Sequence, residues 1–382
     1  MKLRIALFYH SLVSDWNHGN AHFLRGICSE LLSMGHKLEV YEPADAWSRT
    51  NLVEQEGTQA LRDFENAYPW LHSTTYDTQS FEASAVLGEA DLAIVHEWTD
   101  RNVIRSIVGF RRANPDFRIF FHDTHHRAVT DPASLDWESL EGFDAVLAYG
   151  DSLKECYRQR GWTSNVYVWH EAADTRMFYP RTPHPDRRDL VWIGNWGDDE
   201  RTRELQTYLL GPANALKLSG AVHGVRFPES AVASCEAAGL GYRGWIPNYR
   251  VPQAFAAHRV TVHIPRRPYV SALPGIPTIR PFEALACGIP LICANWEDSE
   301  CLFRAGRDFL VARSEAEMKR HLRDVLEDKA LAASLRKNGL ETIEHRHTCK
   351  HRVGELLSIY QNVQQIGIQQ PGAPDELEAV AG

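Results

Sequence analysis

Apolar residues near the N-terminus fall in short unbroken runs, separated by stretches where they recur every third or fourth position. Residues 4–9, RIALFY, form the first such run and predict a buried strand. The next stretch, 20–34, places Phe23, Leu24, Ile27, Leu31 and Met34 on one helical face. Gly35 ends that helix, and 37–41 predicts a second strand. Strand, loop, helix and strand in this order open a Rossmann-like α/β domain with a right-handed crossover. Further strands are predicted at 92–95, 118–121, 145–148 and 166–168, with helix-compatible segments among them. Between 48 and 84 no period is regular enough to predict an element.

The pattern then breaks. Residues 174–189, DTRMFYPRTPHPDRRD, are rich in Pro, Arg and Asp and poor in aliphatics, which predicts a linker. A second series follows, with strand 190–193, helix 200–210, a short strand 221–222, and strands 260–264 and 289–293. Helices are predicted over 315–336 and 350–366, and the polar stretch 367–382 is expected to be disordered. The chain therefore reads as α/β, with two doubly wound, Rossmann-like domains in tandem, 1–175 and 176–349, facing a central cleft.

Composition narrows the function classes. Forty-one basic against fifty acidic side chains give a net charge of −9, the wrong sign for a nucleic-acid binder. No apolar run is long enough to span a membrane, and Met1 to Ile5 lead straight into a strand rather than a signal peptide. The seven cysteines are scattered and contain no CxxC pair, which points to a reducing, cytoplasmic setting and away from structural zinc.

Candidate chemistry lies where parallel α/β sheets bind ligands, outside the carboxyl ends of the strands. The loop 10–20 opens into a helix, so Gly19 and Asn20 would turn backbone N–H groups into the cleft, a place for a phosphate. In the second domain Gly194 and Asn195 lie on the equivalent loop, and Arg201 or Arg203 would reach a diphosphate. Neither loop is GxGxxG or a Walker A sequence, so tight turns alone are the competing reading. Arg266 and Arg267 follow the strand 260–264 and are either diphosphate partners or solvated loop charges. His96-Glu97-Trp98 ends another strand, where an indole would stack on a sugar face and a carboxylate would take its hydroxyls; a capping acid beside a packed Trp is the alternative. His122, His125 and His126 form the only tight histidine cluster, without the helical His-Glu-x-x-His spacing of a metal site. The run 280–295, RPFEALACGIPLICAN, predicts a helix, a Gly288 stop and a buried strand, with one carboxylate, Glu283, in the first helical turn. The helix dipole favours an acid there by about 0.3–1 kcal/mol, and a ligand is the other explanation.

RPFEALACG followed by an apolar strand resembles the nucleotide-sugar signature of GT-B glycosyltransferases of the family 4-like group, closest to the branch associated with the spore maturation protein CgeB. Residues 17–26 with Gly35-His36, VWIG at 191–194, GYRGW at 241–245, and His347-Thr348 with Arg352 fall in the same order as in that branch. The resemblance implies that Glu283 accepts hydrogen bonds from donor ribose hydroxyls, with main-chain groups around Arg280, Pro281 and Phe282 near the phosphates. It places Arg243, Gly244 and Trp245 around the nucleobase and His122 beside the donor sugar. From the residues themselves, Glu97 is also a candidate base, which an inverting reaction would require, and His18 and Trp98 are candidates for the acceptor side. The resemblance further implies a nucleoside diphosphate sugar, foremost a UDP-sugar, as donor, with no cofactor and no metal, and retention of configuration at the transferred sugar. The acceptor, whether small molecule or glycan, is left open. The 350–366 helix is expected to return to the first domain. One position departs from the wider family: Gly275 stands where many members carry a second glutamate. A nucleotide-sugar epimerase and a non-catalytic sugar-nucleotide or glycan-binding protein remain as alternatives.

Overall fold

In the computed structural model, which describes residues 2–135, 137–161, 165–197 and 200–369, the apolar runs become two parallel sheets. The first is built from β1 (Arg4–Phe8), β2 (Lys37–Pro43), β3 (Thr74–Tyr76), β4 (Leu92–His96), β5 (Arg118–Asp123), β6 (Ala145–Ala148) and β7 (Val166–Val168). Their spatial order is β3-β2-β1-β4-β5-β6-β7. The second sheet uses β8 (Arg188–Ile193), β9 (Gly220–His223), β10 (Leu240–Tyr242), β11 (His258–His263), β12 (Leu291–Ala294) and β13 (Leu310–Ala312), in the order β10-β9-β8-β11-β12-β13. In both sheets the winding reverses beside the first strand, between β1 and β4 and between β8 and β11. Such reversal points open a crevice at the carboxyl edge, which is where a ligand fits.

The central strands carry the core. Every residue of β4, β5 and β6 is buried, as helices on both faces of a parallel sheet require. Helix Ala21–Ser33 lies against the last helix, Cys349–Gln369, whose Val353, Leu356, Ile359, Tyr360 and Val363 are buried. One hydrophobic cluster includes these side chains, Leu7 of β1, Val191 of β8 and Phe282, so the two sheets share a continuous core. Gly26 makes the close helix contact feasible, since a Cβ there would meet Cys349 Sγ at 2.3 Å.

Several expectations need correction. The single helix expected over 200–210 is a short α turn, Thr202–Leu205, a π segment, Gln206–Leu210, and a further helix, Gly211–Leu216. Pro212 has no N–H to give the carbonyl four residues back, which loosens the ladder at that point. The helices expected over 315–336 are Glu315–Glu327 and Lys329–Arg346, the second running past 336, and Asp328 caps it through the N–H groups of Ala330 and Leu331. The strand expected to begin at 289 starts at Leu291, after Pro290. The irregular region holds helices Trp47–Glu56 and Gln59–Ala67 and the edge strand β3. Of the tail expected from 367, residues 367–369 belong to the last helix, Cys349–Gln369, and the rest, from 370 onward, lies outside the described residues.

Candidate active site

The two carboxyl edges enclose a cavity of about 730 Å³. From the first sheet's side it is lined by His10, His18, Gly19, Asn20, His96 and Trp98; from the second by Gly194, Asn195, Arg201, His263, Arg266 and Arg280. Both winding-reversal points therefore open into one space. The halves touch at its base. A Cβ on Gly19 would lie 2.8 Å from the Ile279 side chain, Asn195 bonds Asn17, and Asp15 accepts from Trp245 Nε1 at 3.1 Å and from the Asn248 N–H at 2.8 Å.

The second-sheet wall is cationic. Arg201 Nη1 donates to the Ile264 carbonyl at 3.1 Å, its Nε donates to the Asn195 carbonyl at 3.1 Å, and its guanidinium lies 5.2 Å from the Trp192 ring centre. Carbonyls satisfy its N–H groups without cancelling its charge. Burial first, then the nearby Arg266 and Arg280, push Arg201 down to about 9. Arg266 is paired with Glu200 at 3.0 Å, and Arg280 with Glu283.

Glu283 is not in the first turn. The helix runs Ile279–Cys287, because Thr278 is still extended and Pro281 fits the first turn without an N–H partner, so Glu283 is its fifth residue. Its carboxylate is fully buried, does not line the cavity, and accepts from His22 Nδ1 at 3.0 Å and from Arg280. The other ring nitrogen of His22 accepts from the Asp174 N–H at 2.7 Å, so Nδ1 must carry the proton that goes to Glu283. One imidazole thus ties the first helix, the segment after β7 and the Glu283 helix together.

The other predicted residues divide by position. Pro281 and Phe282 are buried behind the cavity, Phe282 against Phe303 with ring centres 5.2 Å apart. Arg243 to Trp245 extend the β10 edge: the Arg243 N–H reaches Val222 O at 2.9 Å, and the Gly224 N–H reaches Gly244 O at 2.9 Å. These three do not line the cavity. His122 lies beneath the floor with Nδ1 2.7 Å from the Tyr9 hydroxyl, and burial lowers it to about 3, so it is a neutral imidazole. Its neighbour His125, from the same histidine cluster, does line the cavity. Glu97 is buried one layer back, 2.8 Å from Arg127 Nη2, and the Arg127 guanidinium stacks 3.7 Å from the centre of the Trp98 ring. Burial, then Asp123, push Glu97 up to about 8 against the pull of Arg127.

Sequence reading passed over His10, Trp47, Thr124 and Tyr269, all of which line the cavity. The signal was available for Trp47. It follows the carboxyl end of β2 by four residues, and the strand-end rule applies to that exit as to the others. Among the described residues no group of three or more His, Cys, Asp or Glu side chains is placed to hold a metal ion, and no helix is long and apolar enough to cross a membrane.

A family model described as glycosyl transferase-like matches residues 201–358. No curated protein matches the chain. Among solved structures, an alpha-glucosyltransferase in complex with UDP and a 13-mer DNA is 13% identical with a TM-score of 0.68, over 94% of this chain and 100% of that one. Sucrose-phosphate synthase from Thermosynechococcus elongatus is 14% identical with a TM-score of 0.66, over 96% and 100%. The Anabaena protein HepE, in complex with UDP and glucose, is 15% identical with a TM-score of 0.63, over 93% and 99%. These likenesses span both sheets and establish the GT-B fold, two Rossmann-like domains across a cleft.

Proposed function

We propose that the chain is a glycosyltransferase that takes a sugar from a nucleoside diphosphate donor, a UDP-sugar foremost, and passes it to an acceptor hydroxyl. The observation that carries this is the crowding of Arg201, Arg266 and Arg280 on the cavity wall, close enough for the other two to lower Arg201. Cations gathered in a part-buried cleft repel one another, and a diphosphate relieves that repulsion with charge-assisted hydrogen bonds. The glycosyl transferase-like match over 201–358 covers all three arginines, and structures of this fold carry UDP.

In this reading the bond from the acceptor oxygen to the anomeric carbon forms as the bond to the diphosphate oxygen breaks. The diphosphate leaves with the electron pair and finally takes the acceptor's proton. The arginines and the Gly19 and Asn20 backbone stabilise the departing charge, and the closed cleft positions the reactants. Glu283 takes the ribose hydroxyls once Arg280 turns from it to the phosphates; Arg243, Gly244 and Trp245 serve the base; His122 and Glu97 act from behind the reacting centre; His18 and Trp98 face the acceptor. Retention of configuration, a reaction without metal and a place in the CgeB-like branch belong to the same reading and rest on the sequence motifs, and a cytoplasmic setting rests on the scattered cysteines.

The test is a thermal-shift titration of the full chain and its Arg201→Ala variant with UDP, GDP, dTDP and ADP. A nucleotide at about 100 times its dissociation constant stabilises the native state by about 2.7 kcal/mol. The expected result is a shift with UDP that Arg201→Ala loses while remaining folded by circular dichroism. A folded wild-type chain that responds to none of the four would sink the reading.

A further inference from the structure

The cavity's two walls differ in chemistry, and the difference bears on the acceptor. The second-sheet wall offers Arg201, Arg226, Arg266 and Arg280. The first-sheet wall offers two large indoles, Trp47 and Trp98, which are 49% and 45% exposed although both line the cavity. Two half-exposed tryptophans at the mouth of one cleft are costly to leave in water and mark a binding surface.

Both rings are fixed from behind. Trp47 abuts Trp16 edge-on, with centres 4.8 Å apart, and Trp98 rests on Arg127, itself held by Glu97 at 2.8 Å. Between them run His18 and His10, joined Nε2 to Nε2 at 2.9 Å. Ring centres step from Trp47 to His18 by 6.5 Å, to His10 by 4.3 Å and to Trp98 by 6.5 Å, an unbroken aromatic band. Burial keeps both imidazoles neutral. The charged groups at the rim of this wall are Asp45 and Asp100, which are exposed and accept hydrogen bonds.

We infer that this wall receives an uncharged saccharide, its pyranose faces on the indoles of Trp47 and Trp98 and its hydroxyls toward Asp45 and Asp100. The inference rests on the glycosyltransferase reading and names the class of acceptor for it. A pyranose presents C–H groups on its face and hydroxyls around its edge, which matches an apolar band rimmed by carboxylates. A nucleic-acid or polyanionic acceptor needs cations along its backbone, and this wall meets it with two acids, neutral rings and, under Trp98, an Arg127 already paired with Glu97.

The experiment titrates the full chain, with saturating UDP and without it, against maltotriose and chitotriose, a heparin-derived tetrasaccharide and single-stranded oligo-dT. Tryptophan fluorescence and saturation-transfer NMR report binding. One of the neutral oligosaccharides is expected to bind, and Trp47→Ala or Trp98→Ala to weaken it at least tenfold, with Trp98→Phe recovering most of the loss. Preference for the heparin fragment or oligo-dT overturns the inference, as does binding of a simple phenol in place of every oligosaccharide. Neutral-sugar binding that ignores both substitutions overturns it too. UDP binding read in parallel separates the two ideas. If UDP binds and no saccharide does, this inference fails and the donor reading stands; if a neutral saccharide binds and UDP never does, the donor reading fails and the saccharide wall stands.

Discussion

Glu97 shows how one residue's surroundings set the pH response of the whole chain. It and Asp123 are buried carboxyls near a single guanidinium, Arg127, so burial pushes Glu97 up to about 8 and Asp123 up to about 6. Glu171, buried with no hydrogen-bond partner for either oxygen, is raised well above the usual range as well, by burial first and then by Glu283. A carboxyl whose folded pKa is raised stabilises the native state fully below its unfolded pKa and loses that contribution as pH climbs to the folded value. The buried histidines act the other way: His122 and His263 are lowered to about 3, so they cost stability as pH falls below an unfolded value of about 6.5. Above about pH 6.5 the histidines are silent and the carboxyls remain. The melting temperature should therefore fall between about pH 6.5 and 8.5, by up to about 1.4 kcal/mol of stability per pH unit for each proton released. Glu97→Gln, which cannot titrate, should make calorimetric stability fall less steeply; an unchanged slope would contradict the assignment. Some of this residue chemistry was legible in sequence. The rule of strand carboxyl ends found Gly19, Asn20, Gly194, Arg201 and Arg266, which do line the cavity. It did not find that Glu283 would be held by His22, because that pair is 261 positions apart and only the closed fold brings it together.

At the level of elements, long buried strands announced themselves and short edges did not. β6, buried throughout, begins and ends where its apolar run does. β3, β10 and β13 have three residues each, with two, none and none of them exposed and never more than one buried, so no alternation betrays them. The π segment at Gln206–Leu210 was invisible for another reason: the pattern 200–210 is helical, and the proline that alters its ladder lies beyond it. The contact between the first and last helices yields a sharper prediction. A Cβ on Gly26 would lie 2.3 Å from Cys349 Sγ and 2.8 Å from Asp174 Cβ, both well inside van der Waals range. Gly26→Ala should destabilise the protein by about 1–3 kcal/mol, as overpacking does, despite the higher helix propensity of alanine. Gly354→Ala in the last helix, where an added Cβ meets nothing within 4 Å, is the matched control and should be neutral or mildly stabilising by urea melt.

The molecule as a whole is one in which the end of the chain completes its beginning. The last helix buries Val353, Leu356, Ile359, Tyr360 and Val363. At about 1.5–3 kcal/mol per fully buried large side chain, that is comparable to an entire domain's net stability of about 5–15 kcal/mol. Removing residues 349–369 should leave the first sheet's helix uncovered and the protein insoluble or molten. Size-exclusion chromatography and near-ultraviolet circular dichroism of the truncated chain decide it. The same wiring sets a timetable during synthesis. The first sheet's last strand ends at Val168 and the helix that covers it starts at Cys349, 349 − 168 = 181 residues later. At ~5–20 residues per second the ribosome takes roughly 10–40 seconds over that interval, during which the half made first waits with an oily face unshielded. Folding of this chain thus runs against the usual order of translation, and a nascent-chain chaperone has its longest opportunity on the part that leaves the tunnel earliest.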